Sequence, residues 1–218
     1  WRLYNSSSIG YAAKDYLNVV RHFLPAHPEV KIVYVLMCLN DITDVSAKEL
    51  RKQTDKEPVK PTPQDLVVHA KRVLWIQSVN DWLRERSKLF LFIKNSVADT
   101  SRRYFLYDLN TYRDSEANFD RVMSYLDELN SVVRTHGATV KVIILPYEYQ
   151  LRFGEPQYLL PQLMIGDYLD KHRIPYIDGY AIYKKSTLPF KQLFLFGDPM
   201  HFSAEGHKIL FHILQNDI

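Results

Sequence analysis

The chain has few features of a disulfide-bonded, membrane-spanning or nucleic-acid-binding protein. It contains one cysteine, Cys38, in 218 residues, so no intrachain disulfide can form, and its place after an apolar run predicts a buried thiol. No apolar run approaches the roughly 18 residues that cross a bilayer. The net charge is only +3, with Lys and Arg alternating with acids. We therefore expect no transmembrane segment in this chain and no nucleic-acid partner.

The chain does contain enough apolar material for one substantial core. Its composition is 46% hydrophobic and 13% aromatic, which is typical of a globular protein, and we predict a single domain over residues 1–218. Residues 45–63 are charged, contain three prolines and show no sustained period, so we predict a loop or lid there. A signal peptide would precede Trp1, which leaves the compartment open; a secreted or periplasmic location is favoured over a cytoplasmic one.

Hydrophobic periodicity predicts an alternation of helices and strands. Helices are predicted over residues 12–24, 62–86, 119–133 and 157–171 and after Ser203, and strands over 2–5, 31–37, 140–145 and 174–178. Such alternation favours a mainly parallel sheet with helices on both faces. Residues 87–115 are ambiguous, because Leu89–Ile93 fits a strand or a buried helical turn. Their Arg and Tyr residues fit a substrate groove or, preferably, amphipathic surface packing.

Asp198 and His201 stand three residues apart, just before the predicted final helix, for which Ser203 is the expected cap. A histidine that takes a proton from a hydroxyl nucleophile needs one ring nitrogen held by a carboxylate, which fixes the tautomer and stabilises the imidazolium. Asp198 can supply that carboxylate from the same loop, and Pro199 is expected to stiffen the link. A polar turn before a helix has the same spacing, and the two residues alone leave that alternative open.

Three short blocks follow one another along the chain: Asn5–Tyr11, Asn40–Asp41 and Asp198–His207. In sequence and in order they resemble blocks of the SGNH (GDSL-like) hydrolases, a family of esterases, lipases and acylhydrolases. Asn40 resembles the Asn whose side chain donates a hydrogen bond to the oxyanion, and Gly10 resembles the Gly whose backbone N–H does the same. Cys38 stands where the family usually has Gly. The resemblance implies a three-layer α/β/α sandwich around a mainly parallel, flavodoxin-like sheet.

The Gly-Asp-Ser block that carries the family's nucleophilic serine does not occur in these residues. The family places it one strand and one helix before the Gly block. We therefore expect the nucleophile upstream of Trp1, together with the first strand of the sheet. The alternative candidates within the chain are Ser6, Ser7 and Ser8, of which Ser6 precedes Gly10 by four residues.

Polar side chains follow two of the predicted strands. Asp41 comes soon after the strand 31–37, and Glu148, Gln150 and Arg152 come after the strand 140–145. Ligands bind at the carboxyl ends of strands in open α/β sheets, so we predict that these side chains contact the substrate. For the last three, a loop that is supported by its own tyrosines is an equally good interpretation.

The resemblance implies a serine esterase or acylhydrolase that needs no cofactor and no metal. His201, oriented by Asp198, would deprotonate the serine, which attacks the carbonyl of a small-molecule or glycan ester. Removal of an O-acetyl group from a glycan is one such reaction. The alternative function is a catalytically inactive module of the same fold that binds an acylated glycan or a protein partner. A metal site built from Asp198, His201 and His207 is a further, less favoured hypothesis.

Overall fold

A computed structural model describes residues 2–8, 10–43, 82, 86, 87, 99–196, 198 and 200–217 of the chain. Several predictions fall on other residues. The loop or lid over residues 45–63, the start of a helix at Thr62, the segment Leu89–Ile93 and the stiffening by Pro199 lie outside the described residues.

The described residues form an α/β fold. In chain order its elements are α1 (Ala13–Phe23), β1 (Ile32–Met37), α2 (Thr100–Asp114), α3 (Glu116–Thr135), β2 (Thr139–Ile144), α4 (Glu148–Phe153), α5 (Leu160–His172), β3 (Tyr176–Asp178), α6 (Gly179–Tyr183) and α7 (Ala204–Asp217). Short 3₁₀ turns lie at Leu24–Ala26, Pro156–Leu159 and Phe190–Leu193. The helices and strands predicted outside residues 2–5 and 45–98 are all present, with ends shifted by a few residues.

β1, β2 and β3 form a parallel sheet in that order. Met37 at the end of β1 pairs with Ile144 at the end of β2, which in turn pairs with Asp178 at the end of β3. Because the strands run in one direction and end in register, the segments that follow them leave from the same edge of the sheet. That carboxyl edge is where parallel α/β sheets bind ligands.

Helices pack against both faces of this sheet, because successive residues of β2 point to opposite sides. Val142 and Ile144 belong to one apolar cluster, with buried residues of α1, α3 and α5. Ile143 belongs to a second cluster, with Leu210 and Ile213 of α7. The sheet therefore supplies the centre of two separate cores, one on each face.

The longest described helix, α3, has the hydrophobic periodicity from which a helix was predicted in this part of the chain. Its buried residues are Phe119, Val122, Met123, Leu126, Leu129 and Val133, whose spacings of one, three or four positions place them on one face of the helix. The chain then turns at Gly137, which adopts a φ of 73° in the left-handed region that favours glycine. Among the described residues, no helix combines the length and the apolar composition needed to cross a membrane.

The strand predicted for Arg2–Asn5 is wrong, since residues 2–8 form neither helix nor strand. Tyr4 instead packs edge-on against Phe23 at the end of α1, with 5.2 Å between ring centroids. Its hydroxyl donates a hydrogen bond to Glu29 at 2.6 Å. The aromatic residue that suggested a strand therefore contacts a helix end and the loop that follows it.

Candidate active site

The loop that carries Asp198 and His201 is closed at its base. Phe194 and Phe202 form an isolated antiparallel bridge, and the N–H of Leu195 donates to the carbonyl of His201 at 2.9 Å. These bonds bring the two ends of the loop together. In the closed loop, the side chains of Asp198 and His201 are in direct contact.

In this contact, Nδ1 of His201 lies 2.6 Å from Oδ2 of Asp198. The other oxygen, Oδ1, accepts the N–H groups of Met200 and His201, each at 3.0 Å. Burial raises the pKa of Asp198, but those two N–H groups and the His201 ring outweigh it and hold the pKa below its usual 3.8. We call this pair the Asp198–His201 dyad. An ionised carboxylate on Nδ1 leaves Nε2 as the nitrogen that can take up a proton.

The dyad is accessible. The side chain of His201 is 57% exposed and that of Asp198 is 33% exposed. Within the described part of the chain, Nε2 of His201 makes no hydrogen bond. A hydroxyl group that reached this nitrogen would therefore find a base already oriented by its carboxylate.

Ser203 and Gly206 fix the start of the helix after the loop. The N–H of Gly206 lies 3.3 Å from Oγ of Ser203, and that hydroxyl donates to the carbonyl of Gln192 at 2.5 Å. The predicted cap is therefore confirmed, and the Ser203 hydroxyl is engaged by backbone groups. A Cβ on Gly206 would collide with the carbonyl of Leu193, so glycine permits this close approach.

The segment Cys38–Thr43, which we call the Asn40 turn, follows β1 at the carboxyl edge. The carbonyl of Asn40 accepts the N–H of Thr43 at 2.9 Å. The carboxylate of Asp41, which is 1% exposed, accepts the hydroxyl of Tyr16 at 3.1 Å and the N–H of Cys38 at 3.2 Å. In this structure Asp41 joins α1 to the turn, and its contact with a substrate stays a prediction.

The segment that carries Gly10 is connected to the Asn40 turn through Tyr16. Gly10 adopts a φ of 81°, a conformation that favours glycine. The carbonyl of the next residue, Tyr11, lies 3.4 Å from the Tyr16 hydroxyl, which also contacts Asp41. Tyr16 therefore connects the Gly10 segment with the Asn40 turn.

A second connection joins the Asn40 turn to the dyad loop. Asp108, on α2 and only 3% exposed, accepts the hydroxyl of Thr43 at 3.0 Å and that of Tyr147 at 2.5 Å. The Tyr147 oxygen in turn lies 2.8 Å from Sδ of Met200, which stands between Asp198 and His201 in the chain. Bonds and contacts through Tyr16, Asp108 and Tyr147 thus connect the three segments that carry the predicted residues Gly10, Asn40 and the dyad.

Sequence reasoning missed the residues that make these connections, which are Tyr16, Thr43, Asp108 and Tyr147. The position of Tyr147 just after a predicted strand, at the carboxyl edge of the sheet, could have identified it as a residue near the site. Asp108 had no such signal, because it lies in the stretch 87–115 whose secondary structure was ambiguous. In that stretch Tyr107 is 66% exposed, whereas Tyr112 is 2% exposed and belongs to the core.

Glu148, Gln150 and Arg152 lie on the short helix α4. Gln150 is 0% exposed and accepts the N–H of Tyr147 at 2.9 Å. Glu148 is 4% exposed and lies 3.1 Å from Nε of Arg152, which also pairs with Asp99 at the start of α2 at 2.8 Å. These side chains hold α4 against its neighbours in this structure, and their contact with a substrate stays a prediction.

The serine candidates within the chain lie in the irregular segment before α1. Ser6, Ser7 and Ser8 are exposed. The N–H and hydroxyl of Ser7 both bond to Oδ1 of Asn5, at 3.1 Å and 2.7 Å. No hydrogen bond joins these serines to His201 in the described structure, and their role as nucleophile stays a prediction.

His207, on the first turn of α7, packs its ring edge-on against Phe202, with 6.0 Å between centroids. In the part of the chain that the structure describes, no group of three or more His, Cys, Asp or Glu residues is arranged to hold a metal ion. The hypothesis of a metal site at Asp198, His201 and His207 therefore gains no support from the geometry.

Comparison of the chain with protein-family models, with curated proteins and with solved structures found no match.

Proposed function

We propose that the protein is a serine esterase or acylhydrolase of the SGNH type, with the Asp198–His201 dyad as its base. One observation carries the proposal. A histidine that is 57% exposed has its Nδ1 bound at 2.6 Å to a carboxylate, which itself accepts two backbone N–H groups. General-base chemistry requires an oriented proton acceptor that the reacting hydroxyl can reach, and the exposed Nε2 of His201 meets that requirement.

The reaction would begin with proton transfer from a serine hydroxyl to Nε2 of His201 as the serine oxygen attacks the ester carbonyl carbon. The imidazolium, stabilised by Asp198, then gives its proton to the alcohol oxygen as the carbon–oxygen bond breaks. This leaves an acyl-enzyme. A water molecule, deprotonated by His201 in the same way, attacks the acyl carbon, releases the acid and restores the serine.

The negative oxygen of each tetrahedral intermediate needs hydrogen-bond donors. We assign the side-chain amide of Asn40 and the backbone N–H of Gly10 to this role, with the N–H of the serine itself as a third donor. The connection from Gly10 through Tyr16 and Asp41 to the Asn40 turn supports a shared oxyanion hole. One such donor commonly lowers the barrier by about 3 kcal/mol.

The sheet order supports the finer fold assignment, a three-layer α/β/α sandwich of the SGNH type. In a flavodoxin-like sheet of order 2-1-3-4-5, the third, fourth and fifth strands are consecutive neighbours. β1, β2 and β3 are consecutive and parallel, as those positions require. The strand that bears the serine would then pair with the edge of β1 opposite β2, and we propose that its residues precede Trp1.

The proposed substrate is a small-molecule or glycan ester, with removal of an O-acetyl group from a glycan as the specific reaction. Hydrolysis of p-nitrophenyl acetate and of an O-acetylated xylan by the protein expressed from its complete coding sequence tests this. His201→Gln should lower kcat by at least roughly 1,000-fold, as the loss of a catalytic base does in serine hydrolases.

The matched control is His207→Gln, which removes a nearby histidine without touching the dyad and should retain activity. Equal activity of His201→Gln and the unaltered protein would contradict the proposal. Binding of the acetylated glycan with no hydrolysis would instead favour the inactive binding module.

A further inference from the structure

The carboxylate of Asp108 lies between the two halves of the proposed site. It is 3% exposed and accepts one hydroxyl on each oxygen, from Thr43 at 3.0 Å and from Tyr147 at 2.5 Å. Buried carboxylates are retained when they are hydrogen-bonded, and bonds to a charged acceptor are stronger and more directional than neutral ones. The three side chains therefore form a rigid buried unit.

One end of this unit fixes the Asn40 turn. The N–H of Thr43 bonds to the carbonyl of Asn40 at 2.9 Å, and the Thr43 hydroxyl lies 2.8 Å from the same carbonyl. Among the described residues, the Thr43 hydroxyl hydrogen can reach both the Asn40 carbonyl and the Asp108 carboxylate, and the carboxylate is the stronger acceptor. Thr43 thus ties the peptide group of Asn40 to α2 and limits where the Asn40 side chain can point.

The other end contacts the dyad loop. The Tyr147 oxygen lies 2.8 Å from Sδ of Met200, and the N–H of Met200 donates to Oδ1 of Asp198 at 3.0 Å. The phenol hydrogen goes to Asp108, because a carboxyl oxygen is a far better acceptor than a thioether sulfur. Tyr147 therefore restrains Met200 by close contact, and Met200 restrains the dyad carboxylate by its backbone.

The Tyr147 phenol is protonated at neutral pH. Burial, together with the neighbouring charge of Asp108 and its hydrogen bond, raises the pKa of Tyr147 well above its usual value.

From these contacts we infer that Thr43, Asp108 and Tyr147 are positioning residues, which set the oxyanion donor Asn40 and the Asp198–His201 dyad at a fixed separation. The inference rests on the proposed function and extends it to residues that do not touch the substrate. A misplacement of about 1 Å between catalytic groups is enough to cost roughly 100-fold in rate.

The test uses two readouts, kcat for p-nitrophenyl acetate and the downfield ¹H NMR resonance of the His201 Nδ1–H, which His201→Gln identifies by its loss. Tyr147→Phe should lower kcat by roughly 10- to 100-fold with KM within about twofold, and should broaden the resonance. Thr43→Val should lower kcat similarly and leave the resonance unchanged, because it acts on the Asn40 side. Thr43→Ser, which keeps the hydroxyl, should restore kcat.

The matched control is Tyr168→Phe, which removes a tyrosine-to-aspartate hydrogen bond of 2.6 Å between Tyr168 on α5 and Asp127 on α3. It should alter neither readout. If Tyr147→Phe does not fold, Met200→Leu decides the matter, since it conserves volume but removes the sulfur contact. It should also broaden the resonance.

Different results would overturn the positioning role of these residues and the esterase function. An unchanged His201 resonance in both Tyr147→Phe and Met200→Leu would overturn the positioning role, whatever the activity. Absence of ester hydrolysis by the unaltered protein, together with a resonance that responds to Tyr147→Phe, would overturn the esterase function and retain the coupling between Tyr147 and the dyad.

Discussion

The hydroxyl of Tyr16, in α1, lies 3.1 Å from Oδ2 of Asp41, a carboxylate that is 1% exposed in the turn after β1. This bond gives a buried carboxyl group a hydrogen-bond donor and joins the Gly10 segment to the Asn40 turn. The two proposed oxyanion donors therefore depend on one side-chain contact between a helix and a strand end.

Tyr16→Phe should consequently lower the free energy of unfolding by about 1–3 kcal/mol, because it removes a donor from a buried carboxylate. Urea denaturation followed by circular dichroism measures this. Tyr4→Phe is the control: its hydroxyl donates to Glu29 on the surface at 2.6 Å, and it should cost clearly less. Equal losses in the two variants would contradict the role assigned to Tyr16.

The side chain of Asn40 is the proposed donor, whereas its carbonyl makes the structural bond to Thr43 at 2.9 Å. Asn40→Ala keeps that backbone bond and should lower kcat by roughly 100- to 1,000-fold with little change in KM. Asn18→Ala, an exposed position on α1, is the steady-state control and should retain full activity. A loss of less than tenfold in Asn40→Ala would count against the assignment.

Gly206, in the first turn of α7, packs closely against the chain before the dyad loop, because a Cβ at this position would collide with the carbonyl of Leu193. Gly206→Ala places a methyl group in contact with backbone that cannot rotate away, so we expect a loss of about 1–3 kcal/mol in unfolding free energy. Lys208→Ala, on the same helix with a side chain 66% exposed, should change it by no more than about 0.5 kcal/mol. Differential scanning calorimetry of both variants compares them, and a neutral Gly206→Ala would show that the helix has room to shift.

Asp217 at the end of α7 makes stability depend on pH. Burial raises the pKa of Asp217, but the ion pair with Lys141 and the hydrogen bond from Tyr34 outweigh it and hold the pKa below 3.8. The unfolded chain therefore binds the proton more tightly. The stabilisation by Asp217 is present above pH 3.8 and is lost as the pH falls through the folded-state pKa.

The test is to measure the free energy of unfolding in urea at several pH values from about pH 5 to pH 2. As the pH is lowered, this free energy should decrease less steeply for Asp217→Asn than for the unaltered protein. Lys141→Met should give an intermediate slope, because it removes the cation and leaves the Tyr34 bond of 2.6 Å. Identical slopes in all three proteins would show that Asp217 does not contribute to the acid sensitivity.

Much of the framework could be predicted because its signals are local. The buried residues of α3 follow the helical period, and the two dyad residues lie within one short loop. Both features therefore involve residues that are close together in the sequence. The helix α2 was harder, although Phe105, Leu109 and Tyr112 are buried at helical spacing, because exposed aromatic residues such as Tyr107 obscure that pattern.

The connections between the halves of the site could not be predicted from the sequence. The bond from Thr43 to Asp108 joins residues 65 positions apart, and that from Tyr147 to Asp108 joins residues 39 positions apart. Such pairings depend on how helices dock on the sheet, which periodicity does not specify. The strand predicted at Arg2–Asn5 failed for a related reason, since Tyr4 was free to pack on a helix end instead.

The most direct test of the central claim, that the Asp198–His201 dyad activates a serine, is labelling with a fluorophosphonate followed by peptide mass spectrometry. An ordinary serine hydroxyl is too weak a nucleophile to react readily, so an adduct identifies an activated one. We predict one labelled serine in the protein expressed from its complete coding sequence, on a peptide that precedes Trp1, and no label in His201→Gln. No label in the unaltered protein, or equal labelling of both proteins, would contradict the account.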